Sequence, residues 1–167
     1  MKSLIALLIG LLAVGLFAED VKWMGFNEGV AQVKAKKKPA VVDFYTDWCG
    51  WCKTMDQKTY GDPVVRAKLK KRYITMKINP ETSKEIIQYD GKQLKAMELA
   101  SGLGVQGFPA TAFMDAEGKF VTMLPVFIPP ETFIQLLNYI DDECYKKQVS
   151  FEDYQKKNDG PCKPAKK

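Results

Sequence analysis

Trp48-Cys49-Gly50-Trp51-Cys52-Lys53 sets two cysteines one helical turn apart, where an apolar run gives way to helix-forming residues. Upstream, Ala40-Val41-Val42-Asp43-Phe44-Tyr45 is rich in β-branched and aromatic side chains and reads as a buried strand. Downstream, residues 53–60 contain good helix formers and no proline. Cys49 therefore falls at a helix N-terminus, where unpaired N–H groups and the helix dipole favour an anion. A thiolate is the attacking species in disulfide exchange, so the placement suits redox chemistry. Such a pair serves thiol–disulfide exchange, half of a zinc site, or a structural disulfide. Zinc needs two further ligands. The chain has no histidine, and Cys144 and Cys162 are too scattered to form a second ligand pair, so no metal is expected.

The lack of histidine also excludes Cys-His and Ser-His catalysis. The 167 residues suit one domain with a core of its own. A net charge of +5 is concentrated in residues 34–38, residues 68–72 and the tail. Aromatic residues do not interleave with these charges, so no nucleic-acid partner is expected and the basic faces read as solvated. At the start, Lys2 precedes sixteen uncharged residues, Ser3 to Ala18, which Glu19 and Asp20 close. This is the layout of a secretory leader over 1–18, either cleaved after Ala18 or kept as an N-terminal anchor, although the run is short for a full span. Both readings export the remainder: one domain over 19–147, then a short helix and tail over 148–167.

Periodicity and turn residues give the elements. A helix is expected from Asn27, its cap, to Lys38, with Val30 and Val33 inward. Asp62 and Pro63 open another helix running to about Tyr73, with Val64, Val65 and Leu69 inward. A second strand spans Tyr73 to Ile78. Asp90-Gly91 is a turn within a longer connection, and Lys92 to Leu103 reads as helix through Leu94, Met97, Ala100 and Leu103. Ala110 to Met114 and Lys119 to Leu124 form a hairpin about Asp115-Ala116-Glu117-Gly118. Pro130 to Tyr145 is a helix with Phe133, Leu136, Leu137 and Ile140 on one face, and Ser150 to Asp153 resembles a capping box. The order α-β-α-β-α-β-β-α implies an α/β fold, with a central sheet covered by helices on both faces.

These elements in this order resemble the thioredoxin fold. The resemblance rests on Val42 to Lys53 around the cysteines, on Lys77-Ile78-Asn79, on Gly104-Val105-Gln106-Gly107-Phe108-Pro109-Ala110-Thr111, and on Gly118. It covers roughly residues 26 to 143. The piece Ile86 to Lys92 is an insertion relative to plain thioredoxin. The Pro129-Pro130-Glu131-Thr132-Phe133 segment and the stretch from Tyr145 to Phe151 are similar to SoxW-like periplasmic thioredoxins. Asp47-Trp48-Cys49 and Asp62-Pro63 are also like the C-terminal domain of the DsbD electron transporter. Trp51 departs from the proline usual in thioredoxin, and Pro125 to Pro129 replaces a glycine-containing segment.

The resemblance assigns roles beside the plainer readings of the same residues. Cys49 becomes the nucleophile and Cys52 the resolving thiol. Asp43, which on its own could be a solvated or hydrogen-bonded strand residue, becomes the proton acceptor for Cys52, its pKa raised by burial. Lys77, otherwise a surface lysine, offsets the charge of Asp43. Pro109 becomes a cis-proline beside the sulfurs, with Phe108 exposing its backbone to a substrate. Trp48, Gly50 and Trp51 complete the substrate-facing surface, although Trp51 and Phe108 could equally be core aromatics. Cys144 and Cys162 form a second disulfide in an oxidising compartment; the alternatives are free thiols or exchange of Cys162 with Cys49. The expected function is periplasmic reduction of protein disulfides by a monomer without a cofactor, recharged by a membrane thiol transporter. A disulfide oxidase or isomerase, and a non-catalytic binding module, are the rival readings.

Overall fold

A computed structural model of the chain describes residues 20–156 and Cys162; the leader over 1–18 and the tail around Cys162 lie outside the described residues. In chain order the elements are α1 (Phe26–Lys36), β1 (Ala40–Phe44), α2 (Gly50–Met55), α3 (Pro63–Arg72), β2 (Ile74–Ile78), β3 (Ile86–Tyr89), β4 (Lys92–Lys95), α4 (Ala96–Gly102), β5 (Ala110–Met114), β6 (Phe120–Leu124), α5 (Pro130–Asp141) and α6 (Phe151–Lys156). A π-helical segment, Asp56–Tyr60, prolongs α2. The main sheet has the order β2-β1-β5-β6. β1 runs parallel to β2 and antiparallel to β5.

Alternation along the central strands sorts the core. Ala40, Val42 and Phe44 join Phe26, Val30 and Val33 of α1, Leu99 of α4 and Ile87 of β3 on one face. Val41 and Phe113 join Met55, Val65, Leu69, Phe133, Leu137 and Ile140 on the other, so α2, α3 and α5 share that face. Asp43 has the parity of Val41 and therefore points to the side of α2. All five residues of β1 and of β5 are buried, as strands covered on both faces must be. α1 lies so close to β2 that a Cβ on Gly29 would sit 2.1 Å from Met76 Cγ.

Several local expectations change. α1 begins one residue earlier than expected, and Asn27 is not its cap. The Glu85 carboxylate takes the orphan N–H groups of Phe26 and Asn27 at 3.1 and 2.9 Å. The Asn27 side chain instead donates to Ile86 O and accepts from Gln88 N–H, both at 2.7 Å, binding the outer edge of β3. A cap lent by a residue nearly sixty positions away leaves no trace in local spacing. Replacing Glu85 with alanine is expected to cost about 1.5 kcal/mol, because two charge-assisted bonds at a helix N-terminus are lost. Urea unfolding measures it; a change below about 0.3 kcal/mol would show that water replaces the carboxylate without loss.

Asp62 caps α3 as expected, accepting from Val64 N–H and Val65 N–H at 2.9 and 3.0 Å. Val65 and Leu69 are buried, whereas Val64 faces solvent. Lys92 to Lys95 is strand rather than helix. Asp90 and Gly91 both have positive φ, 50° and 71°, which is the two-residue turn of a tight hairpin. β3 and β4 form a separate two-stranded sheet, and α4 starts only at Ala96, leaving Met97 exposed. α5 ends at Asp141 rather than Tyr145, because Glu143 is left-handed (φ 53°) and the chain turns into a short 3₁₀ segment, Cys144–Lys147. The expected capping at α6 is present in its first half, where Asp153 N–H donates to Ser150 Oγ at 3.0 Å.

Cys144 and Cys162 are joined, with Cα atoms 5.3 Å apart, and both are buried beside α5. The bridge closes a loop of 18 residues. A Cys144→Ala/Cys162→Ala double variant should lose about 3 kcal/mol of stability through the freed unfolded chain. Thermal unfolding of the double variant checks this. An unchanged midpoint would mean that packing alone holds the tail.

Candidate active site

The turn after β1 places the redox pair. Tyr45 N–H donates to Ile78 O at 3.1 Å, which carries the chain one residue beyond the strand. Cys49 N–H then bonds Thr46 O at 3.2 Å, folding the chain back toward α2. Cys49 is the residue before the helix, and its sulfur accepts from Cys52 N–H at 3.0 Å. It thereby occupies the position that a serine or aspartate fills in an ordinary N-cap. The two cysteines are bonded to each other, with Cα atoms 5.3 Å apart, and both are buried. On reduction the same N–H remains aimed at Cys49 Sγ, where it would favour the thiolate.

An ion cluster is centred on Asp43 of β1. Asp43 is 2 % exposed and pairs in register with Lys77 on β2 and Thr111 on β5. Lys77 Nζ is 3.4 Å from Asp43 Oδ2 and also contacts Asp56 Oδ1 in the π-helical segment. The Tyr60 hydroxyl donates to Asp43 Oδ1 at 3.0 Å and lies 3.3 Å from Thr111 Oγ1. Burial pushes the Asp43 carboxyl up to about 6, against the pull of Lys77; the negative charge of Asp56 adds to the rise, and the Tyr60 hydrogen bond opposes it. Burial, reinforced by Asp43, holds the Tyr60 hydroxyl well above the ordinary tyrosine range, so it stays a donor. The ammonium of Lys77 also lies 5.0 Å from the ring centroid of Tyr45 and 5.4 Å from that of Trp23. A cleft of about 370 Å³, lined in part by Trp23, Asp56, Tyr60 and Lys77, opens this cluster to solvent.

The surface around the sulfurs is aromatic. Trp48 and Trp51 are 69 % and 62 % exposed, which removes Trp51 from the core. Trp48 Nε1 donates to Glu81 Oε2 at 2.9 Å, and its ring meets Phe108 edge-on at 6.1 Å. Phe108 is half-buried and precedes Pro109 through a cis peptide bond. Trp51 lies 5.5 Å from Phe127, beside the exposed Val126. Gly50, between the two cysteines, has open space where a Cβ would be.

The structure thus brings Cys49 and Cys52 together, places Asp43 with Lys77, and gathers Trp48, Phe108 and Pro109. Cys162 is bonded to Cys144 and not to Cys49. Four contributors escaped the sequence reading: Asp56, Tyr60, Glu81 and Phe127. Asp56 had a usable signal, since it stands four residues beyond Cys52 on the same helix. Glu81 had none, because only the turn after Asn79 brings it to Trp48.

Residues 26–141 match the family model described as thioredoxin-like domain. The chain is 30% identical over 118 residues to "Thiol:disulfide interchange protein DsbD" of Vibrio vulnificus, a match covering 70% of this chain and 18% of that relative. It therefore spans less than a fifth of the length of that curated relative. Among solved structures, a thioredoxin-fold protein from Helicobacter pylori superposes with TM-score 0.61 at 25% identity, covering 83% of this chain and 85% of that one. The DsbD C-terminal domain of Neisseria meningitidis in the oxidised form superposes with TM-score 0.53 at 23% identity, covering 68% and 90%. With the sheet order, the helix-capping cysteine pair and these matches in agreement, the chain belongs to the thioredoxin-like domain family.

Proposed function

We propose that this chain is an exported thiol–disulfide oxidoreductase acting mainly as a reductant of protein disulfides. The observation that carries the reading is Cys49 Sγ at the helix cap, accepting from Cys52 N–H, with two exposed tryptophans beside it. The Cys49 thiolate attacks one sulfur of a substrate disulfide. That S–S bond breaks, one substrate thiolate leaves, and a Cys49–substrate disulfide forms. Cys52 then yields its proton to Asp43 and attacks Cys49 Sγ. The intramolecular disulfide forms and the second substrate thiolate departs. Two electrons pass to the substrate, whose thiolates take up protons. The bonded pair described above is the oxidised product of this cycle.

Asp43 suits the acceptor role because it faces the side of α2 and its carboxyl titrates near 6. Lys77, held between Asp43 and Asp56, keeps that carboxyl from rising further. Trp48, Trp51 and Phe108 form an apolar rim suited to an extended chain presenting a disulfide. Export is supported by the Lys2-to-Ala18 leader layout, and among the described residues no helix is long and apolar enough to cross a membrane. Likeness to DsbD supports a membrane thiol transporter as the electron donor. Strong oxidants commonly carry histidine between their cysteines; Gly50-Trp51 offers no such cation, which favours reduction.

The test is the reduction potential, read from tryptophan fluorescence in glutathione buffers. A value of about −200 mV or below supports a reductant, whereas one near about −120 mV assigns the chain to the oxidants.

A further inference from the structure

β1 and β2 run parallel, so Cys49 follows the far end of β1 while Lys38 and Tyr73 precede the near ends of the two strands. Five residues of strand separate these poles by roughly 16 Å. At the near pole, a recess of about 420 Å³ is lined by Lys22, Lys36, Lys38 and Lys70 over Met24 and Ile74. Among the described residues lining it Asp20 is the one acidic side chain, and that carboxylate lies 3.7 Å from Arg66. Lys22 is fixed there by the backbone. Thr75 Oγ1 donates to Lys22 O at 2.6 Å, and Met24 pairs with Met76 at the edge of β2. Lys38 is fixed too, its Nζ donating to Lys71 O at 2.9 Å.

We propose that this lysine-lined pole docks on an anionic phospholipid surface. Charge complementarity is the first reason, since several lysines share one face on which, among the described residues, Asp20 is the one carboxylate and lies against Arg66. The second is where the described chain begins. Asp20 lines the recess, and nineteen residues precede it in sequence, sixteen of them the uncharged run Ser3 to Ala18. A retained leader would enter the bilayer beside these lysines; a cleaved one would leave the electrostatic contact alone. Lysine stems over an apolar floor also reach headgroups at little cost in exposed hydrocarbon. In this pose Cys49 sits at the pole away from the bilayer, presented to soluble disulfide-bearing chains. The inference rests on the reading of the chain as exported, but its outcome is decided by vesicle binding, with insulin reduction only as a check that the variant is folded.

The test compares the full chain with a Lys22→Gln/Lys36→Gln/Lys38→Gln variant by cosedimentation with vesicles. One set contains phosphatidylglycerol in phosphatidylcholine, the other phosphatidylcholine alone, both at low salt. Both proteins carry the same leader, so its contribution cancels. The variant should bind the anionic vesicles at least about ten-fold more weakly, bind the neutral vesicles unchanged, and reduce insulin at the rate of the parent chain. Equal binding of parent and variant to anionic vesicles would overturn the proposal. So would displacement of the parent by millimolar inorganic phosphate at constant ionic strength, which would assign the recess to a free anion. Tighter binding to an acidic polypeptide than to the anionic vesicles would reassign the face to a protein partner and overturn it as well.

Discussion

Replacing Cys49 with serine is expected to abolish protein-disulfide reduction, with a loss of at least about 10⁴-fold in an insulin assay driven by dithiothreitol. The hydroxyl of serine stays protonated even at a helix N-terminus, where a free cysteine sulfur is favoured as the anion, so no nucleophile remains. Cys52→Ala has a different signature. Attack by Cys49 proceeds, but nothing resolves the product, and the mixed disulfide accumulates as a band that dithiothreitol removes on a non-reducing gel. Since Cys52 N–H is a backbone donor to Cys49 Sγ, alanine at position 52 leaves that bond in place. If Cys52→Ala trapped no substrate while pull-downs still recovered partners, the chain would be a binding module and not a reductase. Retention of more than a tenth of the activity by Cys49→Ser would move the nucleophile to Cys52.

Replacing Asp43 with asparagine is expected to act on stability and on rate in opposite directions. The folded carboxyl titrates near 6, above its ordinary 3.8. A raised folded pKa means that the group contributes its stability fully below about pH 4 and loses it as the pH rises through 6. The shift of about two units corresponds to about 3 kcal/mol, the cost at pH 7 of holding a carboxylate that is 2 % exposed. Asparagine avoids that cost and can still accept from Tyr60, while Lys77 keeps Asp56. The variant should therefore gain about 2 to 3 kcal/mol at neutral pH, and the fall in stability between about pH 4 and 6 due to this group should vanish. Denaturant unfolding of the oxidised protein across that range reads both. Reduction of substrate should meanwhile slow by roughly 10²-fold at pH 7, because Cys52 loses its proton acceptor. A variant that gains stability yet reduces insulin at the parent rate would leave Asp43 as a structural carboxylate only.

Much of the site was legible because redox chemistry of this kind is written locally. Two cysteines three apart, an apolar strand before them and a helix after them already define the cap geometry seen at Cys49. Asp43 stood out for the same reason, as the one acidic residue in an otherwise apolar strand. The ion cluster around it was only half legible. Lys77 could be placed by resemblance and Asp56 by its spacing from Cys52, but Tyr60 ends a π-helical stretch whose phase differs from the 3.6-residue repeat used to read it. The hairpin of β3 and β4 was missed because Gln93 and Lys95 are polar and Leu94 fits a helical pattern equally well. Only the left-handed pair Asp90-Gly91 distinguishes a tight turn from a loop. Val64 and Met97 failed in the opposite direction: apolar residues at plausible spacing, turned to solvent by where their helices begin.

The helix-capping cysteine pair, the apolar strands and the lack of histidine are properties of short stretches, so the sequence by itself determined the sheet, the cap position of Cys49 and the absence of imidazole chemistry. Contacts between distant segments were decided only on folding. Glu85 caps α1, Asp56 shares Lys77 with Asp43, Glu81 fixes Trp48, and Cys162 reaches Cys144. Each such contact depends on the angles and lengths of every element between its partners. Local propensity does not encode that sum; the packed core does.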